Sequence, residues 1–167
     1  MKRLALLALV ATLLSAGPGC GVYSPYGAMT SGATTFSVAA FEPVTPLASA
    51  TASLILTEAL RDRIQRQTTL KLVPEGGELR FAADIVEWTL APINAQGNET
   101  AAANRLTIRV AVRYENGRDV SQDFERAFSR FVDIPSDQDF ASVEEQVLAD
   151  LAEQLSQDIF NASLGNW

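Results

Sequence analysis

The residue types that most often carry catalysis are scarce in this sequence. The chain has no histidine and a single cysteine, Cys20, which excludes Ser-His and Cys-His nucleophilic systems and nearly all zinc or redox-metal sites. Carboxylates remain, and Glu144, Glu145 and Glu153 could be imagined as an acid–base pair. Their spacing places them on the polar face of an amphipathic helix. The sequence therefore predicts no enzyme, no cofactor and no metal.

Cys20 stands at the end of an export signal. Lys2 and Arg3 form a short basic start, and the apolar run 4–14 is long enough for the core of a signal peptide but too short to span a bilayer. Small residues precede the cysteine, ending with Gly19. This arrangement looks like the processing site at which a bacterial lipoprotein receives diacylglycerol on its thiol.

An ordinary secretory signal followed by a free cysteine is the alternative, because the position three before Cys20 holds Gly17 instead of an aliphatic residue. A lone exposed thiol has no internal disulfide partner, and lipidation would remove that problem. We therefore predict a lipoprotein signal peptide over 1–19, a lipidated tether over 20–33, and one folded domain over 34–167.

The charge balance limits the partners. The chain carries 20 acidic and 13 basic residues, a net charge of −7, and removal of Lys2 and Arg3 with the signal would make it −9. An acidic domain is a poor candidate for general binding to nucleic acid or to anionic lipid surfaces. Recognition of a polyanion would need a local basic patch.

One such patch is a row of arginines on the clearest predicted strand. Arg105, Arg109 and Arg113 alternate with apolar residues, so they project from one side of that strand. A guanidinium row suits bidentate contact with phosphates. The alternative is an ordinary solvated row, offset by carboxylates on neighbouring strands: Asp84, Glu87 or Asp123.

The elements that position these residues follow from the hydrophobic pattern. Helical spacing predicts amphipathic helices at Leu47–Gln67 and Phe140–Phe160. Strand patterns cover Thr34–Phe41, Leu70–Val73, Leu79–Leu90, Arg105–Tyr114 and Val120–Val132. The predicted fold is α+β in the order β-α-β-β-β-β-α, with two helices on one face of a mixed or antiparallel sheet of about four strands.

Turn and cap signals set the expected boundaries. Pro43 and Pro92 should end their strands, and residues 94–104 should form a polar loop. Asn116-Gly117 is a two-residue hairpin signal that predicts antiparallel pairing of the flanking strands. Ser142 and Glu145 form a capping-box pattern at the last helix.

Several motifs run across nearly the whole chain after the signal: Cys20–Ser24, Gly27-Ala28, Thr57–Arg63, Gln96–Ile108, Asp123–Glu125, Phe128–Arg130, Asp158–Ala162 and Asn166-Trp167. Together they resemble a known family, the LptE-type LPS-assembly lipoproteins of Bacteroidetes-like bacteria. Pro25 departs from the family pattern.

The resemblance implies a non-enzymatic lipoprotein of the outer membrane, held by its N-terminal lipid (palmitate and diacylglycerol on Cys20) and facing the periplasm. Its partners would be the β-barrel LptD, which the family protein plugs and helps to assemble, and lipopolysaccharide. The arginine row would then meet lipid A phosphates. The family-like loop supplies the candidate partner contacts Gln96, Gly97, Asn98, Thr100 and Asn104.

Two other functions stay open at this point. The chain could be an accessory lipoprotein subunit of another envelope transport or assembly machine. It could also be a small envelope hydrolase that uses carboxylates, although no motif supports that activity.

Overall fold

The computed structural model describes residues 28–93 and 103–165, and within them two helices cover one face of a six-stranded sheet. In chain order the elements are β1 (Thr35–Val38), β2 (Glu42–Pro43), α1 (Ala50–Gln67), β3 (Lys71–Leu72), β4 (Leu79–Ile93), β5 (Ala103–Asn116), β6 (Phe124–Pro135) and α2 (Phe140–Ser163). A short 3₁₀ turn, Val120–Gln122, precedes β6.

The sheet is mixed, with the order β3-β1-β4-β5-β6. β1 lies parallel to both β3 and β4, and β2 adds a second short parallel pairing to β4. β4, β5 and β6 form a long antiparallel meander. The predicted α+β class is confirmed, and the strand count rises from about four to six.

The strand beyond the five of the predicted order is β2, which lies just after the first predicted strand, Thr34–Phe41. β1 ends at Val38, and the next residues leave the sheet to bond to α1: the Phe41 amide donates to Thr57 Oγ1 at 3.0 Å, and Ser53 Oγ donates to the Phe41 carbonyl. Because Phe41 is buried in the core, the chain turns inward there before β2 forms.

Alternating side chains of β4 and β5 build the core beneath the helices. Leu106, Ile108, Val110 and Val112 are fully buried, and Tyr114 continues the row. The Tyr114 ring lies between two neighbours, with centroid distances of 4.9 Å to Phe81 on β4 and 5.4 Å to Phe124 on β6. The opposite face of the same strands, called the open face below, carries the polar residues.

The helices pack on each other as well as on the sheet. Ser49 caps α1 by accepting a 3.1 Å bond from the Ala52 amide. A polar contact joins the helices: the buried Arg63 of α1 donates to Gln157 Oε1 at 2.5 Å and pairs with Glu153 of α2. Glu153, considered above as an acid, therefore has a structural partner.

Several predicted boundaries were wrong. Pro43 does end a strand, the short β2, but β4 continues through Pro92 to Ile93. Beyond Ile85, β4 pairs with β5 alone, and an edge strand tolerates a proline whose nitrogen faces away from the ladder. β5 begins at Ala103, so Asn104 belongs to a strand and not to the loop.

The hairpin prediction was right about the pairing and wrong about the length of the turn, and the capping-box prediction was wrong. β5 and β6 pair antiparallel, but seven residues separate Asn116 from Phe124. The Asn116 side chain accepts hydrogen bonds from the backbone amides of Arg118 and Asp119, and these bonds form a longer turn. Ser142 lies inside the first turn of α2 and donates to the Asp139 carbonyl, so it does not cap the helix.

Candidate functional site

Some of the predicted site residues belong to the described part of the chain and others lie outside it. Cys20 lies outside the described residues, as do Gln96, Gly97, Asn98 and Thr100. Asn104 is described as the second residue of β5, in register with Pro92 on β4 and Ile134 on β6.

The last residues of the predicted tether and the first residue of the predicted domain are attached to one end of the sheet. The Met29 amide donates to the Leu164 carbonyl, just beyond α2, at 2.8 Å. Glu78 accepts 2.6 Å and 3.0 Å bonds from the backbone amide and hydroxyl of Thr34, and it also pairs with Arg118. The backbone bond from Thr34 is the main reason that the pKa of Glu78 is lowered.

The arginine row lies on the open face, but its members have different surroundings. Arg105 forms a bidentate pair with Asp133 of β6, at 2.7 and 2.8 Å, and its guanidinium stacks 3.8 Å from the centre of the Phe131 ring. The hydrogen bond raises the pKa of Arg105 and lowers that of Asp133. Much of the binding capacity of Arg105 is therefore already used.

The other two arginines of the row are less engaged. Arg113 Nε lies 3.8 Å from Glu125 Oε2, too far for a hydrogen bond. Arg109 is exposed and lies in register with Glu87 and Ser129, and within residues 28–93 and 103–165 no carboxylate lies within 4.0 Å of its guanidinium. These two side chains keep free donors on the open face.

Arg113 also lines a groove of about 430 Å³, which we call the arginine groove. It lies at the end of the sheet to which Met29 and Thr34 are attached. Its walls are the end of β1 with Ala39 and Ala40, the turn 74–76, and the neighbouring parts of β4 and β5. Three arginines from three elements line it: Arg61 of α1, Arg80 of β4 and Arg113 of β5.

The sequence alone did not identify Arg61 or Arg80 as site residues. They are separated along the chain, and neither has a periodic relation to the row on β5. Only the parallel pairing of β1 with β4, which brings the residues after Val38 beside Phe81, creates the groove.

Two further findings concern the described residues. No cluster of three or more metal-binding side chains (Asp, Glu, Cys, His) was found in that portion of the chain. None of its helices combines the length and the apolar character needed to cross a bilayer.

Comparison with known proteins decides the family. The family model described as "LptE: Lipopolysaccharide-assembly" matches residues 33–163, which is most of the chain. This chain belongs to the LptE family. The match includes every helix and strand of the structure, together with the arginine groove and the whole arginine row.

Solved structures with a similar course of the chain include a hypothetical protein from Chlamydia trachomatis, with a TM-score of 0.49, 10% identity, and coverage of 76% of this chain and 93% of that one. A minor lipoprotein from Acinetobacter baumannii has a TM-score of 0.42 and 18% identity, with coverage of 79% of this chain and 94% of that one. Lipoprotein B from Nitrosomonas europaea has a TM-score of 0.44 and 17% identity, with coverage of 77% of this chain and 80% of that one. No curated protein sequence matches the chain.

Proposed function

We propose that this LptE-family protein plugs the outer-membrane β-barrel LptD from the periplasmic side, assists its assembly, and contacts lipopolysaccharide during transport. The observation that carries the proposal is the family match over residues 33–163. The family consists of non-catalytic LPS-assembly lipoproteins. The absence of histidine and the single cysteine agree with a non-catalytic role.

A plug within a barrel needs polar outer surfaces, because the interior of a large outer-membrane barrel is polar. The open face meets this need with mostly charged and small side chains on three adjacent strands, and its exposed Phe131 is covered by Arg105. The outer side of α2 also meets it, since the helix carries acidic residues and no basic ones.

The barrel partner can be tested by purifying the lipidated, tagged chain from its own envelope. We expect an LptD-type barrel to co-purify, and depletion of the chain should leave that barrel misassembled and lipopolysaccharide retained in the periplasm. Co-purification of a different envelope machine would instead identify an accessory subunit of that machine. A normal cell surface together with a barrel that assembles without this chain would refute the proposal.

The lipid anchor is a separate part of the proposal. Mass spectrometry of the mature N-terminus should find acyl chains on Cys20, and the Cys20→Ser variant should be released from membranes. A mature chain that begins elsewhere, with an unmodified thiol, would assign the protein to ordinary secretion.

The contact with lipopolysaccharide is proposed for Arg105, Arg109 and Arg113. The contact with the barrel partner is proposed for Asn104 and for four loop residues that lie outside the described part of the chain, Gln96, Gly97, Asn98 and Thr100. Replacing the three arginines together by glutamine should weaken binding and flatten its dependence on salt, because each lost phosphate contact removes an electrostatic contribution. Unchanged affinity and an unchanged salt slope would remove the row from the proposal.

A further inference from the structure

We propose that the arginine groove is a binding site for a phosphate group carried on a polar headgroup. This inference rests on the proposed contact with lipopolysaccharide and locates an anion site that the row on β5 alone does not define. The groove joins residues of α1, β1, β4 and β5 with the turn 74–76, and its volume of about 430 Å³ lies within the range of sites for small ligands.

The side chains that line the groove carry a small net positive charge, whereas the chain as a whole carries a net charge of −7. Arg61, Arg80 and Arg113 line it against two carboxylates, Glu75 and Glu115. Two further carboxylates, Glu58 and Glu125, approach Arg61 and Arg113 from outside the lining. A locally cationic concave surface concentrates the field and favours an anion at that point. General attraction of polyanions to the rest of the surface is not expected.

The three guanidinium groups differ in the donors that they keep free. Arg61 is fixed in place, with Nη2 bonded to the Val38 carbonyl at 2.7 Å and Nη1 to Glu58 at 2.7 Å. Arg80 places Nε and Nη2 on a single oxygen of Glu115, at 2.9 Å and 2.7 Å, so its remaining N–H groups are free of that pair.

Of the three arginines, Arg113 keeps the most N–H donors free to bind an anion. Its side chain is about half exposed, and its nearest carboxylate contact, to Glu125, is 3.8 Å long. A guanidinium presents its N–H donors in a planar fork that matches two phosphate oxygens. Arg113 would therefore make the direct contact, while the fixed Arg61 and Arg80 supply the surrounding positive charge.

Small residues keep the backbone of the groove accessible. Ala39, Ala40, Gly76 and Ala82 line it, and a Cβ atom added to Gly76 would meet no atom within 4 Å. The wall is held firmly, since the Ala39 amide donates to the Phe81 carbonyl at 2.9 Å and the Gly77 amide donates to Ser37 Oγ at 3.2 Å. A preformed wall of this kind lowers the cost of ordering the site on binding.

Isothermal titration of the mature full-length chain with glucosamine 1-phosphate and with inorganic phosphate tests the inference. We expect saturable binding that Arg113→Gln weakens about tenfold or more, the usual effect of losing a charge-assisted hydrogen bond. Tighter binding of the sugar phosphate would assign the site to a headgroup. Equal binding of both would assign it to the phosphate group alone and still support an anion site.

Arg126→Gln is the matched control. Arg126 is an exposed arginine of β6 that faces the helix side of the sheet, opposite in register to Val112, so it lies outside the groove. If the two substitutions weaken binding equally, the effect is general charge and the inference is wrong. It is also wrong if neither substitution changes the affinity.

Amide chemical shifts give an independent readout that does not depend on a variant. Titration with glucosamine 1-phosphate should move the amide signals of Ala40 and Gly76, and should leave that of Asp133 in place. Movement confined to Asp133 and its neighbours would place the anion on the arginine row. Failure of these tests in a chain that still co-purifies with the barrel would refute the groove without affecting the proposed function.

Discussion

Arginines that look equivalent on one strand differ in the free energy that they can still contribute to binding. Arg105 is held by Asp133 and stacked on Phe131, whereas Arg113 has no hydrogen bond to a described residue and opens onto a groove. The register of β6 places a carboxylate opposite each of them, Asp133 opposite Arg105 and Glu125 opposite Arg113, but only Asp133 lies within hydrogen-bond distance. Charge alone therefore does not rank these residues as ligands.

The buried hydroxyl of Tyr114 should make the stability of the fold depend on pH. Burial, assisted by the negative charge of Asp123, raises the pKa of its hydroxyl from 10.0 to about 12. The unfolded chain then loses this proton first as the pH rises, so the contribution of Tyr114 to stability is complete below pH 10 and falls between about pH 10 and 12. We expect the free energy of unfolding to decrease by roughly 2 to 3 kcal/mol across that interval.

Urea unfolding at several pH values between 9 and 12 measures this change. The Tyr114→Phe variant keeps the aromatic contacts and lacks the ionisable hydroxyl, so the difference between the two proteins isolates the tyrosine from other titrating groups. Parallel pH profiles for the two proteins would contradict the prediction.

At the scale of elements, the turn between β3 and β4 holds two glycines for different reasons. A Cβ atom on Gly77 would lie 2.5 Å from the backbone of Phe36 and Ser37 in β1, so the close approach of the chains requires glycine. Gly76 has open space around it but a φ of +69°, a left-handed conformation that costs other residues about 1 kcal/mol.

We predict that Gly77→Ala lowers the free energy of unfolding by about 2 to 3 kcal/mol, since β1 must shift to admit the methyl group. Gly76→Ala should cost only about 1 kcal/mol. Chemical denaturation of both variants against the wild-type chain checks the order. A Gly77→Ala variant as stable as Gly76→Ala would show that β1 is not packed against this turn.

At the level of the whole molecule, Met29 and Thr34 attach the N-terminal segment to one end of the sheet. The same end holds the Asn116 turn and the arginine groove. Cys20 is eight residues before Ala28, a link of at most about 28 Å. β4 has 15 residues and so extends for about 50 Å. If Cys20 carries the lipid, the link is shorter than the sheet. The end of the sheet that holds the Asn116 turn is therefore held closer to the membrane than the opposite end.

This geometry predicts that a dye at the end of the sheet with the Asn116 turn lies closer to the bilayer than a dye at the opposite end, where β6 finishes. Val120 and Asp137, both exposed, flank β6 at its two ends and can be replaced by cysteine, because the lipid would occupy the only native thiol. On vesicles that contain a headgroup quencher, we expect stronger quenching for Val120→Cys than for Asp137→Cys. Equal or reversed quenching would contradict this orientation.

Features that depend on local periodicity could be predicted from the order of residues along the chain. The two helical stripes, the alternation of β5 and the antiparallel pairing around Asn116 could all be predicted, because residues that repeat at the period of a helix or strand bury one face wherever the element packs. The ordered motifs from Thr57–Arg63 to Asp158–Ala162 also identified the family.

Contacts between residues that are distant along the chain became known only from the folded structure. The parallel pairing of β1 with β3 and β4, the departure of Phe41 toward α1, and the meeting of Arg61, Arg80 and Arg113 depend on contacts between segments far apart in the chain. No local pattern encodes such contacts, because their free energy comes from packing and charge pairing that exist only after the elements have come together.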